Sequence, residues 1–223
     1  MDRRQALKNI GFGAGIIVVG PTTLGLLQSC KNEPNYNWQP QFLSAGHGLI
    51  LEKILDVIIP TGDTPGAIDV NVAQFIDKYM FQVAAPKEQQ EFKEAAGAFS
   101  VAFKNELQQE AEAGETGDFE RIVEKFLRAT PTQKEEFARR NGETQDQMDK
   151  DPTNHSEETI PLSPEEADAK AFAYLRNVRG MGIWGWKTSK EIGEDVLWYD
   201  PVPGEYIPCA PVEELGNGKA MSL

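Results

Sequence analysis

Few residues of this chain have the types and spacing that chemistry requires. The two histidines, His47 and His155, have no second histidine or cysteine at metal-ligand spacing, so they read as capping or solvent-exposed side chains. Asp63 stands beside Pro65 and Gly66, where it can bind a cation or act as a base. An aspartate in such a turn far more often bonds its own backbone. Glu135-Glu136, Glu157-Glu158 and Glu165-Glu166 are adjacent pairs, and adjacent side chains on a helix point apart, so they are not acid/base dyads. Cys209 lies among prolines without a basic neighbour and reads as a packed free thiol. There is no GxGxxG after a strand, no CxxCH, no GxSxG and no P-loop, so no cofactor is expected on this chain.

The aromatic residues Trp184, Trp186, Trp198, Tyr199 and Tyr206 are the richest constellation. They can stack on a sugar ring, pack the tail onto the body, or form a partner hot spot, where Trp and Tyr are enriched. Pro201 and Pro203 stiffen the tail around them, and a pre-organised segment loses less entropy on docking. That favours a protein partner over a sugar.

These residues must be positioned by helices. In residues 49–79, Leu51, Ile54, Leu55 and Ile58 recur at helical spacing, and Pro60 stops the run. Turn formers fill residues 61–66, and a second run places Val72, Phe75, Ile76, Tyr79 and Met80 on one face. The expectation is a helical hairpin on which other helices pack. A third run carries Phe92, Ala96, Phe99 and Phe103 through about Ala113, and a fourth carries Ile122, Val123, Phe126 and Leu127. Thr130-Pro131 opens a short helix. Residues 141–162 are polar and poor in apolar side chains, which predicts a flexible surface loop. Ser163-Pro164-Glu165-Glu166 is a capping box opening a further helix, read as ending near Arg179-Gly180. The proline-rich segment after Tyr199 is expected to run extended. The fold class is therefore all-α: an irregular helical bundle with an extended proline-rich C-terminal tail.

The N-terminus reads as an address. Arg3, Arg4 and Lys8 precede an uncharged, glycine-rich run over residues 9–29, a signal-peptide layout. Arg3-Arg4 resembles a twin-arginine signal, with Ala6 where the motif has phenylalanine, and ordinary secretion stays open. Leu27-Gln28-Ser29-Cys30 resembles a lipobox, making Cys30 the lipidation site. The uncharged run is also about long enough to span a bilayer. The position of Cys30 at its end favours the lipoprotein reading. The division is 1–29 export signal, 30–46 polar tether and 47–223 helical domain. A formal charge of −13 argues against a nucleic-acid partner, which needs a basic footprint.

Two blocks carry a resemblance. Ile58-Ile59-Pro60-Thr61-Gly62-Asp63-Thr64-Pro65-Gly66-Ala67 and Tyr199-Asp200-Pro201-Val202-Pro203-Gly204-Glu205-Tyr206 resemble the gluconate 2-dehydrogenase subunit 3 family. These are small accessory subunits of membrane-associated, flavin-dependent sugar and sugar-acid dehydrogenases. The resemblance implies a non-catalytic subunit that stabilises, and can help export, a GMC-type large subunit carrying the FAD. It also implies a periplasmic-side, lipid-held location. The expected partner interface is then Pro60, Asp63, Pro65, Gly66, Trp198, Tyr199, Pro201, Pro203, Gly204 and Tyr206. The alternative is a free-standing lipoprotein that binds carbohydrate through the Trp/Tyr cluster.

Overall fold

The computed structural model describes residues 38–150, 162–200, 204 and 209–222. These residues belong to one unit, Trp38–Leu223. Among them the chain is helical, with one isolated β-bridge between Trp198 and Met221 and no sheet. The longer helices are α1 (Ala45–Ile58), α2 (Val72–Gln82), α3 (Pro86–Leu107), α4 (Thr116–Leu127), α5 (Pro131–Lys150) and α6 (Pro164–Lys187). A 3-10 turn (Ala111–Ala113) joins α3 to α4, a π-helical turn (Glu191–Val196) follows α6, and a short α7 (Val212–Gly216) closes the chain.

Local chemistry sets these boundaries. The Ser44 hydroxyl accepts the His47 N–H at 3.2 Å and starts α1. Pro60 stands just past its end, where the Ile59 N–H still bonds Leu55 O. At α6 the Ser163 hydroxyl accepts the Glu166 N–H at 3.2 Å, and the Glu166 carboxylate accepts the Ser163 N–H at 2.9 Å. That reciprocal pair is the capping box read from the sequence, and the Ser163 backbone bond holds the Glu166 carboxyl below its ordinary pKa. Pro86 and Pro131 sit at the first helical positions of α3 and α5, where a missing N–H costs nothing.

α6 is the central element, touching α1, α2, α3, α4 and α5. Its first half packs Ala167, Ala171, Phe172, Tyr174, Leu175 and Val178 into the core. α3 meets it with Phe92 and Phe99, whose ring centroids lie 5.3 and 5.7 Å from that of Tyr174. α4 adds Phe119, 5.0 Å from Phe103, and α1 fills the opposite wall with Ile50, Leu51, Ile54 and Leu55.

Four expectations change. α5 is not short; it continues through Asn141 to Lys150, so the first half of the expected 141–162 loop is helical. Its Glu136 is paired with Arg139 and Arg140, and i,i+4 pairs of this kind sustain a polar helix that buries little. α6 does not end near Gly180 but runs to Lys187: Gly180 lies exposed within the helix, and Gly182 and Gly185 are buried packing positions rather than stops. α7 appears in the segment expected to be extended, starting directly after Pro211, which caps it.

The fourth change concerns the tether, because residues 38–44 are held on the bundle. The Trp38 indole N–H donates to Glu52 at 2.6 Å. The Asp77 carboxylate, 1% exposed, accepts three successive backbone N–H groups: Gln41 at 2.7 Å, Phe42 at 3.2 Å and Leu43 at 2.9 Å. Phe42 packs its ring 6.2 Å from Phe92, and Lys93 Nζ lies 4.3 Å from the Phe42 centroid. A buried carboxylate with this many donors is compensated by charge-assisted bonds.

Removing that acceptor strands buried donors. Asp77→Ala is expected to destabilise the fold by roughly 2–4 kcal/mol, the scale for breaking a buried charged hydrogen-bond set. The denaturation midpoint measures it, and amide exchange at Gln41, Phe42 and Leu43 should accelerate first. An unchanged midpoint with slow exchange would show that the strap is held by its apolar contacts alone.

Candidate functional site

The connection between α1 and α2 is tightly built. The Ala67 N–H donates back to Ile59 O at 2.9 Å, closing the loop on its own start. Asp69 secures the inside: its Oδ2 accepts the Thr61 hydroxyl at 2.6 Å and the Gly66 N–H at 2.7 Å. The Thr61 hydroxyl first and the Gly66 N–H second hold the Asp69 carboxyl below its ordinary pKa. Gly66 is buried, and a Cβ there would lie 2.5 Å from Thr61 N and 2.8 Å from Ile59 O. No side chain fits that space without moving backbone, so this position requires glycine.

From the far end of the chain, the Trp186 indole N–H donates to Pro65 O at 2.8 Å. The turn is thereby fixed to the C-terminal end of α6. Two glycines bring α6 close enough: a Cβ on Gly182 would lie 2.7 Å from Leu55 Cδ2, and one on Gly185 2.7 Å from Phe75 Cδ1. Trp184 turns outward, edge-on to Phe75 at 4.9 Å and to Tyr79 at 5.5 Å, and stays 44% exposed.

The expected site residues therefore fall into separate places. Pro60, Asp63, Pro65 and Gly66 share the turn, with Pro60 and Asp63 exposed and Gly66 buried. Asp63 accepts no hydrogen bond among the described residues, and the structural role expected of a turn aspartate belongs to Asp69. The sequence signal was available, since Asp69 stands three residues after a buried-turn glycine, the spacing of a local side-chain-to-backbone bond. Trp198 is elsewhere. Its N–H donates to Ala220 O at 2.8 Å, its carbonyl accepts the Ser222 N–H at 2.7 Å, and Gly216 lies against its ring, so the chain's own C-terminal residues cover it. Tyr199 is 53% exposed and Gly204 has open space around its Cα. Pro201, Pro203 and Tyr206 lie outside the described residues, as do Arg3, Arg4, Cys30 and His155. Among the described residues no ring contact joins Trp198 or Tyr199 to Trp184 or Trp186, so the aromatic residues are not one platform.

The remaining reactive groups are accounted for locally. His47 is held below its ordinary pKa by burial, which outweighs the nearby Glu112 charge. Cys209 is free and exposed, not packed as expected. A cleft of about 420 Å³ opens between α2, α3, α5 and α6, and its carboxylates are engaged. Glu88 accepts the Ala85 N–H at 3.0 Å, Glu91 faces Lys87 at 3.9 Å, and Glu94 faces Lys170 at 3.7 Å. Tyr174 in its wall has a hydroxyl without a hydrogen-bond partner, and burial pushes its pKa well above the ordinary tyrosine value. Among the described residues no group of three or more His, Cys, Asp or Glu side chains is placed to hold a metal ion.

Residues 45–204 match the family model of gluconate 2-dehydrogenase subunit 3, and the chain belongs to that family. The match begins at the first residue of α1 and ends at Gly204, so it contains the 60–66 turn, the Asp77 anchor and all of α6. No curated protein and no solved structure matches the chain.

The turn's geometry separates its two glycines. Gly66→Ala is expected to destabilise the fold by roughly 1–3 kcal/mol, the usual cost of overpacking. A Cβ on Gly62 meets nothing within 4 Å, so Gly62→Ala should stay within about 0.5 kcal/mol of the parent. Thermal unfolding of both variants checks this, and equal effects would contradict the close approach at Gly66.

Proposed function

We propose that this chain is the non-catalytic small subunit of a flavin-dependent sugar or sugar-acid dehydrogenase, and that its 60–66 turn faces the catalytic subunit. The family is that of a subunit of a membrane-associated, multi-subunit dehydrogenase. In this reading the partner is a GMC-type large subunit, and the FAD and the reacting groups belong to it. The observation that carries the proposal is the turn itself. Asp69, Trp186 and the Gly66 contact hold it rigid from within, while Pro60, Asp63 and Thr64 are exposed and the Asp63 carboxylate has no hydrogen-bond partner among the described residues. A surface already ordered before docking loses little entropy on complex formation.

The carbohydrate-binding alternative draws less support. The indole N–H of Trp186 is engaged by Pro65, and Trp198 is covered by the C-terminal residues.

The rest of the proposal concerns delivery. Cys30 carries the lipid, and Arg3 with Arg4 directs export on the twin-arginine route, so that a folded, cofactor-loaded partner can travel with this chain. The lipid then holds the protein on the periplasmic side. Among the described residues no helix is long and apolar enough to cross a membrane.

Two experiments test these points. Asp63→Lys reverses an exposed charge that has no internal partner, so folding should be retained. Co-purification with the catalytic subunit should fall by about tenfold or more, the effect of a like-charge clash or lost pair at an interface. Undiminished co-purification would remove the turn from the interface. For delivery, Cys30→Ser should abolish lipid attachment seen by mass spectrometry, and changing Arg3 and Arg4 together to Lys should block export. An unmodified Cys30 in the mature wild-type protein, or export unaffected by the double change, would each overturn the corresponding step.

A further inference from the structure

The charge of this chain is unevenly distributed. Between Asp168 and Glu191 it contains five cations and no carboxylate, in a protein of formal charge −13. That stretch is α6 and the few residues after it. Arg179, Ile183 and Lys187 stand at i, i+4 and i+8, one stripe along the helix on which Arg179 and Ile183 are exposed and Lys187 is half-buried, with exposed Trp184 beside them. Arg179 and Lys187 form no ion pair among the described residues, whereas most cations elsewhere in the bundle are paired or lie over a ring, such as Lys125 with Glu106 and Asp168.

The neighbouring helix continues the pattern. Trp184 rests edge-on against Phe75 and Tyr79 of α2. The one carboxylate of α2 is Asp77, which is buried and occupied by the strap. Its exposed side offers Lys78 and ends in Phe81 and Val83, which are 52% and 64% exposed. The face made by α2 and the second half of α6 thus combines cations with half-exposed aromatic and aliphatic side chains, and neither helix supplies an exposed carboxylate there.

We propose that this face docks on an anionic phospholipid surface, with Trp184 and Ile183 entering the headgroup region and Arg179, Lys187 and Lys78 contacting lipid phosphates. Tryptophan prefers the membrane–water boundary, and long basic side chains keep their charge at headgroup level while their stems lie on apolar neighbours. The charge pattern supplies the orientation. An anionic bilayer repels the acidic remainder of the molecule and attracts this face alone. The T-shaped contacts with Phe75 and Tyr79 fix the Trp184 ring, so little side-chain entropy is lost on insertion. The proposal does not depend on the lipid at Cys30 or on the identity of the partner subunit.

The test reads Trp184 locally, so that membrane attachment through the N-terminus does not mask it. The full chain is mixed with vesicles containing brominated lipids, either phosphatidylglycerol-rich or purely phosphatidylcholine. Tryptophan quenching is compared between the wild type and Trp184→Phe, and the difference isolates the Trp184 signal. Strong Trp184 quenching on anionic vesicles, little on neutral ones and sensitivity to salt are expected. The double change Arg179→Glu and Lys187→Glu replaces an exposed and a half-buried cation, neither in an ion pair among the described residues, and should retain the circular dichroism of the fold. It is expected to lower Trp184 quenching on anionic vesicles by about tenfold in the lipid concentration required. No quenching, quenching equal on both vesicle types, or quenching that survives the double change would each overturn the proposal. Protection of Trp184 by an acidic protein surface with no response to lipid would assign the face to a protein instead.

Discussion

The structure depends on how closely α6 can be approached. A helix that touches five others must let each of them in, and its side chains are chosen for that. Alanines line its first half, and Gly182 and Gly185 line the second, where Leu55 and Phe75 come within contact of its backbone. Interiors are packed too densely for a methyl group to be added at such points without moving a neighbour. The usual penalty of glycine within a helix, about 1 kcal/mol relative to alanine, is accepted because the close approach recovers buried apolar surface on both sides. That approach also brings Trp186 to Pro65. The exposed turn is therefore held not only by its own local bonds but also by a helix more than a hundred residues away in the chain.

Two aspartates solve the same backbone problem at opposite ends of the α1–α2 hairpin. Irregular chain packed against a core presents N–H groups that no helix satisfies, and leaving them unpaired is costly. Asp77 supplies acceptors for the segment entering α1, and Asp69 does so for the turn leaving it. The environments differ. Asp77 is buried and stabilises through a set of bonds formed away from water, while Asp69 is exposed and its bonds to Thr61 and Gly66 shape the loop more than they stabilise the domain. Both lie within the stretch shared with the family.

The sequence showed what is decided locally. Ser163 with Glu166, Pro86, Pro131 and the stop at Pro60 are signals read within a few residues, and each marks an element boundary in the structure. It misled where a distant contact overrides a local tendency. Gly180 and Gly182 read as the end of α6, although Gly182 lies inside the helix against Leu55. Residues 141–150 read as loop because they carry few apolar side chains, yet the helix that begins at Pro131 continues through them. Asp77 was invisible as an anchor, because nothing in its own neighbourhood indicates that residues 41–43 will fold back onto it. The aromatic residues looked like one cluster because they are close in sequence. They belong to two places because the chain turns after Lys187 and Trp198 is bridged to the C-terminal residues.

The distribution of chemistry within the fold bears on what such a subunit can contribute. Buried Asp77, half-buried Trp186 and exposed Asp69 all bond the chain's own backbone, and that spends their hydrogen-bonding capacity on shape. Among the described residues, the surface includes a rigid turn with an unpaired aspartate and a helical face whose cations form no ion pair. In the cleft between α2, α3, α5 and α6 the glutamates have partners, and the buried Tyr174 hydroxyl has no hydrogen-bond partner. The turn and the helical face are surfaces of fixed geometry, the one held by Trp186 and Asp69 and the other by the ring contacts of Trp184. Their energetic value lies in ordering completed before binding, so that the contacts made on assembly are not offset by the entropy of forming the surface itself.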